Sequence, residues 1–191
     1  MVGVTDDGAR ALLPAAAEEF GRRVHAVPAD AWDRGTPDED WSVRDLVGHL
    51  VAEHLWVPPL LAGETVAEVG DRFDGDTLGD DSVGAWDGAI AASLRSWAQT
   101  ADDQLVDLSA GPTPAREYAE QMILDLVVHA WDLARGAGLD EQLDPGLVAH
   151  VRAYVEPVAD AWREPGIFGA RVEVDSDDPQ DQLLGLLGRR P

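Results

Sequence analysis

The sequence predicts an all-α protein: a four-helix bundle followed by short additional elements at its C-terminal end. Three observations carry this expectation. Apolar residues recur at helical spacing in four or five separate segments. Capping residues stand at the start of several of them. Only one segment, around Val172 and Val174, reads as a strand, and one strand cannot make a sheet, so a helical bundle is the economical architecture.

Residues 7–25 form the first helix, with Leu12, Leu13, Ala16, Phe20 and Val24 on one broad face and Pro14 in the first turns, where it is tolerated. The second helix opens at Ser42, and Asp45 three residues on completes a capping box. It continues through "SVRDLVGHLVAEHLW" towards "VPPLLAG", where Pro58 and Pro59 are expected to bend or interrupt it and Gly63 to end its last turn. Residues 64–81, rich in Asp and Gly, read as a long loop. Such loops are often functional, and this one is either a cover over the site described below or, equally, a solvated linker.

Ser82 caps a third helix running to about Leu108, with Trp86, Ile90, Leu94, Trp97 and Leu105 as its apolar stripe. Thr113 and Pro114 give the cap and first position of a fourth helix, which Gly136 is placed to end. Asp144 and Pro145 repeat the signal for a fifth, "PGLVAHVRAYVEPVADAW". The tail is extended around Val172 and Val174, with a short helix near Leu183–Leu187. Neither an internal repeat nor a domain-sized linker interrupts the chain, so residues 1–191 are expected to form a single domain.

The charge is lopsided. There are 37 acidic residues against 14 basic ones, all Arg, for a net charge of −23. A surface of that sign repels nucleic acid and anionic lipid, so neither is expected as a partner. No apolar run approaches the ~18–20 residues of a membrane span. The N-terminus lacks the basic start and apolar stretch of a signal peptide. A soluble, cytoplasmic protein is expected. Cysteine is absent, which excludes disulfides, thiolate metal sites and a cysteine nucleophile; any thiol chemistry needs sulfur from another molecule.

The polar residues that interrupt apolar faces are the candidates for function. On the fourth helix, Tyr118, Met122, Asp125, His129 and Leu133 share one face, so Asp125 and His129 can approach the same point in the bundle core. The spacing suits two ligands of one metal ion, although an Asp/His pair at this spacing is more often a structural hydrogen bond. It differs from both the two-histidine helical zinc motif and the Glu/His motif of di-iron bundles. The second helix offers His49, flanked by Leu46, Val47 and Leu50. His54 lies about 140° further round, so only one of the two should point to the centre. Glu53, four residues after His49, is a candidate outer partner, while His25 and His150 lie near helix ends and look exposed.

The segments "WSVRDLVGHLVAEHLW", "LLAGETVAEVGDRF", "DLVVHAWDLARG" and "LLGLLGRRP" together resemble an actinobacterial metal-binding family of the DinB-like helical-bundle superfamily. That family is similar to the N-terminal domain of mycothiol-dependent maleylpyruvate isomerase, and the resemblance runs from about Leu12 to Pro191. It implies a DinB-like four-helix bundle that holds a divalent metal through His49, Asp125 and His129. The isomerase carries Glu at the acidic position, where this chain has Asp125, one methylene shorter. Zinc heads the candidates, with nickel, manganese or iron also suited to nitrogen and oxygen donors.

Two imidazoles and a carboxylate leave coordination positions open, as catalytic sites do. Three functions follow from that reading. The first is a metal-dependent enzyme of the thiol S-transferase kind, activating a low-molecular-weight thiol such as mycothiol as cosubstrate for transfer to a small electrophile. The second is a metal-assisted hydrolase. The third is a non-catalytic binding or interaction bundle with a vestigial metal site. The chain has no room for the isomerase's C-terminal domain, so maleylpyruvate isomerisation itself is not expected. The resemblance also implies a homodimer, with Trp56 and Trp97 available for its interface.

Overall fold

The computed structural model describes residues 8–38, 40–163 and 168–191. A short 3-10 turn, Ala9–Ala11, leads into α1, Leu13–Val24; position 7, where the sequence starts this helix, lies outside the described residues. Leu13, Ala16, Phe20 and Val24 are buried as the apolar spacing requires. Arg23 is buried with them. Its Nη1 donates to the Glu19 carboxylate at 2.7 Å and its Nη2 to the Gln142 carbonyl at 2.8 Å, so the charge enters the core already paired.

Helix α2 spans Val43–Leu61. The capping box forms: the Ser42 N–H donates to Asp45 Oδ2 at 3.0 Å and the Asp45 N–H to Ser42 Oγ at 3.2 Å. The expected interruption at Pro58 and Pro59 does not occur, and the helix runs through both. Each proline loses its own N–H bond, but both sit close to the C-terminal end and their carbonyls still accept, from the Ala62 and Glu64 N–H groups at 3.0 Å.

The segment expected as a plain loop contains a one-turn helix, α3 (Val66–Val69), with its own Thr65/Glu68 capping box. Helix α4, Ser82–Trp97, is capped by Asp81 rather than Ser82. It ends eleven residues short of the expected Leu108, because the chain turns into an antiparallel hairpin of β1 (Leu105–Leu108) and β2 (Gly111–Pro114). Leu105, expected on the apolar stripe, is 63% exposed on that hairpin.

Helix α5, the fourth of the sequence reading, spans Ala115–Ala137 with Pro114 as its N-cap. Gly138, in the left-handed region at φ 72°, ends it in place of Gly136. The next helix is also shorter than expected. Helix α6 covers Pro145–Val155, and α7, Ala159–Arg163, follows a turn that contains Pro157. Helix α8, Pro179–Leu186, closes the chain under an Asp178 cap.

Helices α1 and α2 each pack against both α4 and α5, which gives the cyclic order α1, α4, α2, α5. Trp86, Trp97 and Trp131 are the bulkiest buried rings of the core. Helix α6 covers α5 from outside and α8 covers α6. The all-α four-helix bundle with short C-terminal elements is therefore the observed fold, with one small hairpin added.

Candidate functional site

Helix α2 brings His49, and helix α5 brings Asp125 and His129, to the floor of a cleft of about 1020 Å³. The Asp125 carboxylate lies between the two imidazoles. Its Oδ2 is 3.4 Å from His49 Nε2 and its Oδ1 is 3.3 Å from His129 Nε2. One donor atom from each of the three residues falls within 4.8 Å of the others. Trp41, just before the α2 cap, packs on both imidazoles, with ring centroids 4.7 Å from His49 and 5.8 Å from His129.

The orientation of His129 is fixed from behind. Asp132 is fully buried and accepts a hydrogen bond from His129 Nδ1–H at 3.0 Å. The Nε2 lone pair of a neutral ring is then left facing Asp125. Arg189 in turn holds Asp132, donating from Nη2 to Oδ2 at 2.8 Å and from Nε at 3.2 Å. Asp38, His129 and Asp132 form a second close group of possible ligands. The Arg189 guanidinium, 3.8 Å from Asp38 Oδ2, already supplies the positive charge there.

The electrostatics follow from this packing. Burial alone would raise the Asp125 pKa, but the His129 and His49 imidazoles outweigh it and hold the carboxyl well below the usual range. Burial opposes the charged form of His129, and the Asp125 and Asp132 carboxylates overcome it, pushing the ring up to about 9. His49 moves in the same direction: burial lowers it, while Asp125 and Glu53 raise it further. Glu53 lines the same cleft, and burial first, then Asp125, pushes its pKa up. The site therefore attracts positive charge, as protons or as a cation.

These residues fit a metal ion. An Nε2 lone pair and a carboxylate oxygen repel unless a proton or a cation lies between them. Ligands of a tetrahedral ion with bonds near 2.0–2.1 Å stand about 3.3–3.5 Å apart, which matches both separations. The carboxylate–histidine arrangement of Asp132 and His129 is the outer support that metal-bound imidazoles ordinarily have.

The remaining histidines fall elsewhere. His54 is fully buried on the other side of α2, where its ring meets Ser93 Oγ through Nδ1 at 2.9 Å. His25 is exposed as expected. His150 is half-buried within α6 and meets Glu120 at 2.7 Å, so it is neither terminal nor free. The loop 64–81, a candidate cover, contributes no lining residue to the cleft. It is tied away from it: Val66 N–H donates to Asp107, Thr77 Oγ1 donates to the Gly48 carbonyl, and Arg44 pairs with Asp76. The upper walls come instead from residues 37–38, 40–41, 109–110, 162, 168–169 and 187–189.

Fold and cleft together define a helical-bundle protein with a histidine–aspartate–histidine cluster at the floor of a large pocket. The chain belongs to the mycothiol maleylpyruvate isomerase N-terminal domain family, whose model matches residues 13–134. It is similar to two uncharacterised proteins of Mycobacterium tuberculosis, Rv0738 (strain H37Rv) and MT0763 (strain CDC 1551). Each is 29% identical over 180 residues, covering 91% of this chain and 93% of the relative.

Among solved structures, the mycothiol-dependent maleylpyruvate isomerase has a TM-score of 0.60 at 16% identity, over 77% of this chain and 68% of the enzyme. A histidine-to-alanine mutant of that enzyme gives 0.62 at 16%, over 83% and 71%. At that identity the likeness is one of fold.

Proposed function

We propose that the protein binds a divalent metal ion through His49, Asp125 and His129 and activates a low-molecular-weight thiol, of the mycothiol kind, for transfer to a small electrophile. The observation that carries this reading is the convergence of two Nε2 atoms on one carboxylate, with the His129 tautomer set by Asp132. Family membership supplies the thiol. A divalent cation with open positions lowers the pKa of a thiol or water bound to it.

The chain's own residues do the rest. Asp132 and Arg189 hold His129 in one orientation. Trp41 shields one side of both imidazoles from water. Glu53, with its raised pKa, stands in the cleft to take the proton a thiol gives up. Nitrogen and oxygen donors suit zinc first, and also nickel, manganese and iron.

The test is thermal unfolding of wild type and His129→Ala, each with chelator and with excess Zn²⁺, Ni²⁺ or Mn²⁺. The wild-type midpoint should rise with metal and the rise should vanish in the variant, which keeps only two protein ligands. Equal wild-type midpoints in all conditions would reduce Asp125 and His129 to a polar seam. Disappearance of free thiol on incubation with metal, mycothiol and an electrophile then separates thiol transfer from hydrolysis.

A further inference from the structure

Above the three donor residues the cleft has two kinds of wall. One is aromatic, made by Trp41, Tyr118, Trp162 and Phe168, the last two with ring centroids 5.6 Å apart. The other is acidic: Asp38 and Glu53 line it half-buried, and Asp40 lines it exposed. Among the described lining residues Arg189 is the only Arg. It is already committed, through Nε and Nη2 to Asp132 and through Nη1 to the Leu187 carbonyl at 3.3 Å. Turning it towards a ligand would strip its cation from a fully buried carboxylate, a change that ordinarily costs several kcal/mol.

We infer that the electrophile this cleft accepts is a flat aromatic or apolar molecule that bears no negative charge. The inference rests on the proposed thiol chemistry and names its second substrate. At the floor, Asp125 and one thiolate would cancel the charge of a divalent ion. Arg189 is one cation between two carboxylates, bonded to Asp132 and only 3.8 Å from Asp38, so with Asp40 the walls keep a net negative potential, in a chain whose net charge is −23. A carboxylate substrate would be desolvated against like charge with no free guanidinium to receive it. An aromatic ring instead finds aromatic side chains in the lining, Trp162 and Phe168 side by side among them, on which it can pack by offset or edge contact.

In the reaction, the thiolate sulfur forms a bond to an electron-poor carbon. Either a leaving group departs with the bonding pair, or, at a conjugated double bond, the pair moves to the neighbouring carbon, which takes up the proton the thiol released. No oxidant or reductant is needed.

The test compares two ligands of equal shape, 4-nitrobenzamide and 4-nitrobenzoate. Binding is read by quenching of tryptophan fluorescence, in chelator and without thiol, at about pH 10, above the range in which His129 holds the proton that could receive a carboxylate. The amide should bind at least about tenfold more tightly than the carboxylate, roughly the ratio that 1.4 kcal/mol produces. The gap should fall below about threefold in Asp38→Asn/Asp40→Asn and should shrink in ~0.5 M salt, because these acids are reached by solvent. The two single variants serve if the double one loses its native circular dichroism. Equal or tighter binding of the carboxylate would overturn the inference. So would a gap that survives both the substitutions and salt, or an absence of quenching by either ligand. Metal and thiol are absent from this titration, so its failure leaves the metal reading standing, and loss of the metal-dependent midpoint leaves this one standing.

Discussion

At His129 the two ring nitrogens face different carboxylates, Asp132 at 3.0 Å and Asp125 at 3.3 Å, and each contact constrains the other. Asp132→Asn keeps an oxygen to accept the Nδ1 hydrogen but removes the charge that raises the basicity of the ring. Metal affinity by calorimetry should weaken about 10–100-fold, the usual cost of an altered outer partner; unchanged affinity would make Asp132 a purely structural residue. Helical period sets Asp125 and His129 on one apolar face and leaves His49 or His54 as the third candidate; the family resemblance is what selects His49. Asp132 sits three residues beyond His129 and was open to the same reasoning. Arg189 was not, since a contact across 57 residues leaves no periodic trace. His54 behaves differently from all of these. Burial drops its pKa to about 4, whereas the unfolded ring titrates near 6.5. Between those values the unfolded chain binds the extra proton. The contribution is therefore fully present above pH 6.5 and is lost as pH falls through 4, up to about 3 kcal/mol. Urea unfolding at pH 7 and pH 4.5 should show a smaller acid loss in His54→Leu/Ser93→Ala than in wild type. The same loss in both would assign it to carboxylates alone.

Helix starts were legible where a side chain closes them: Ser42 and Asp144 cap α2 and α6 as their sequence context indicates. Ends were less so, because a glycine or proline has more than one use. The sequence places a stop at Gly136, yet the helix continues to its cap at Gly138. A Cβ at Gly136 would lie 3.0 Å from Thr36 Cγ2 and 3.1 Å from the Gly35 carbonyl oxygen, so the glycine permits close packing of α5 on the 35–36 turn. Gly136→Ala should therefore destabilise, by roughly 1–3 kcal/mol as overpacking does, although alanine is the better helix former. A rise in thermal midpoint would show that the turn yields. Residues 98–108 leave the helix for a similar reason. Leu105 and Leu108 extend the leucine spacing of α4, but Leu105 faces solvent on a hairpin that returns the chain to α5. Local period cannot report that reversal.

For the molecule as a whole, the described helices include none long and apolar enough to cross a membrane. The aromatic residues once open to an interface divide. Trp97 is 3% exposed and packs on Tyr118, so it cannot serve one. Trp56 is half-buried against Phe73. Pairing of two copies, which we propose from the family resemblance, must work against −23 on each. The same self-repulsion acts within one chain, where 37 acids face 14 arginines. Salt screens both effects over a Debye length that falls from ~30 Å at 0.01 M to ~3 Å at 1 M. Raising NaCl should therefore lift the thermal midpoint in the presence of chelator and shift sedimentation from monomer towards dimer. The midpoint reports repulsion inside the fold and the mass reports repulsion between copies, so the two can part. A midpoint that rises while the mass stays monomeric at every salt concentration would remove the dimer and keep the electrostatic account. A midpoint that stays flat or falls would mean that the acids are spread widely enough for the folded chain to carry them without strain.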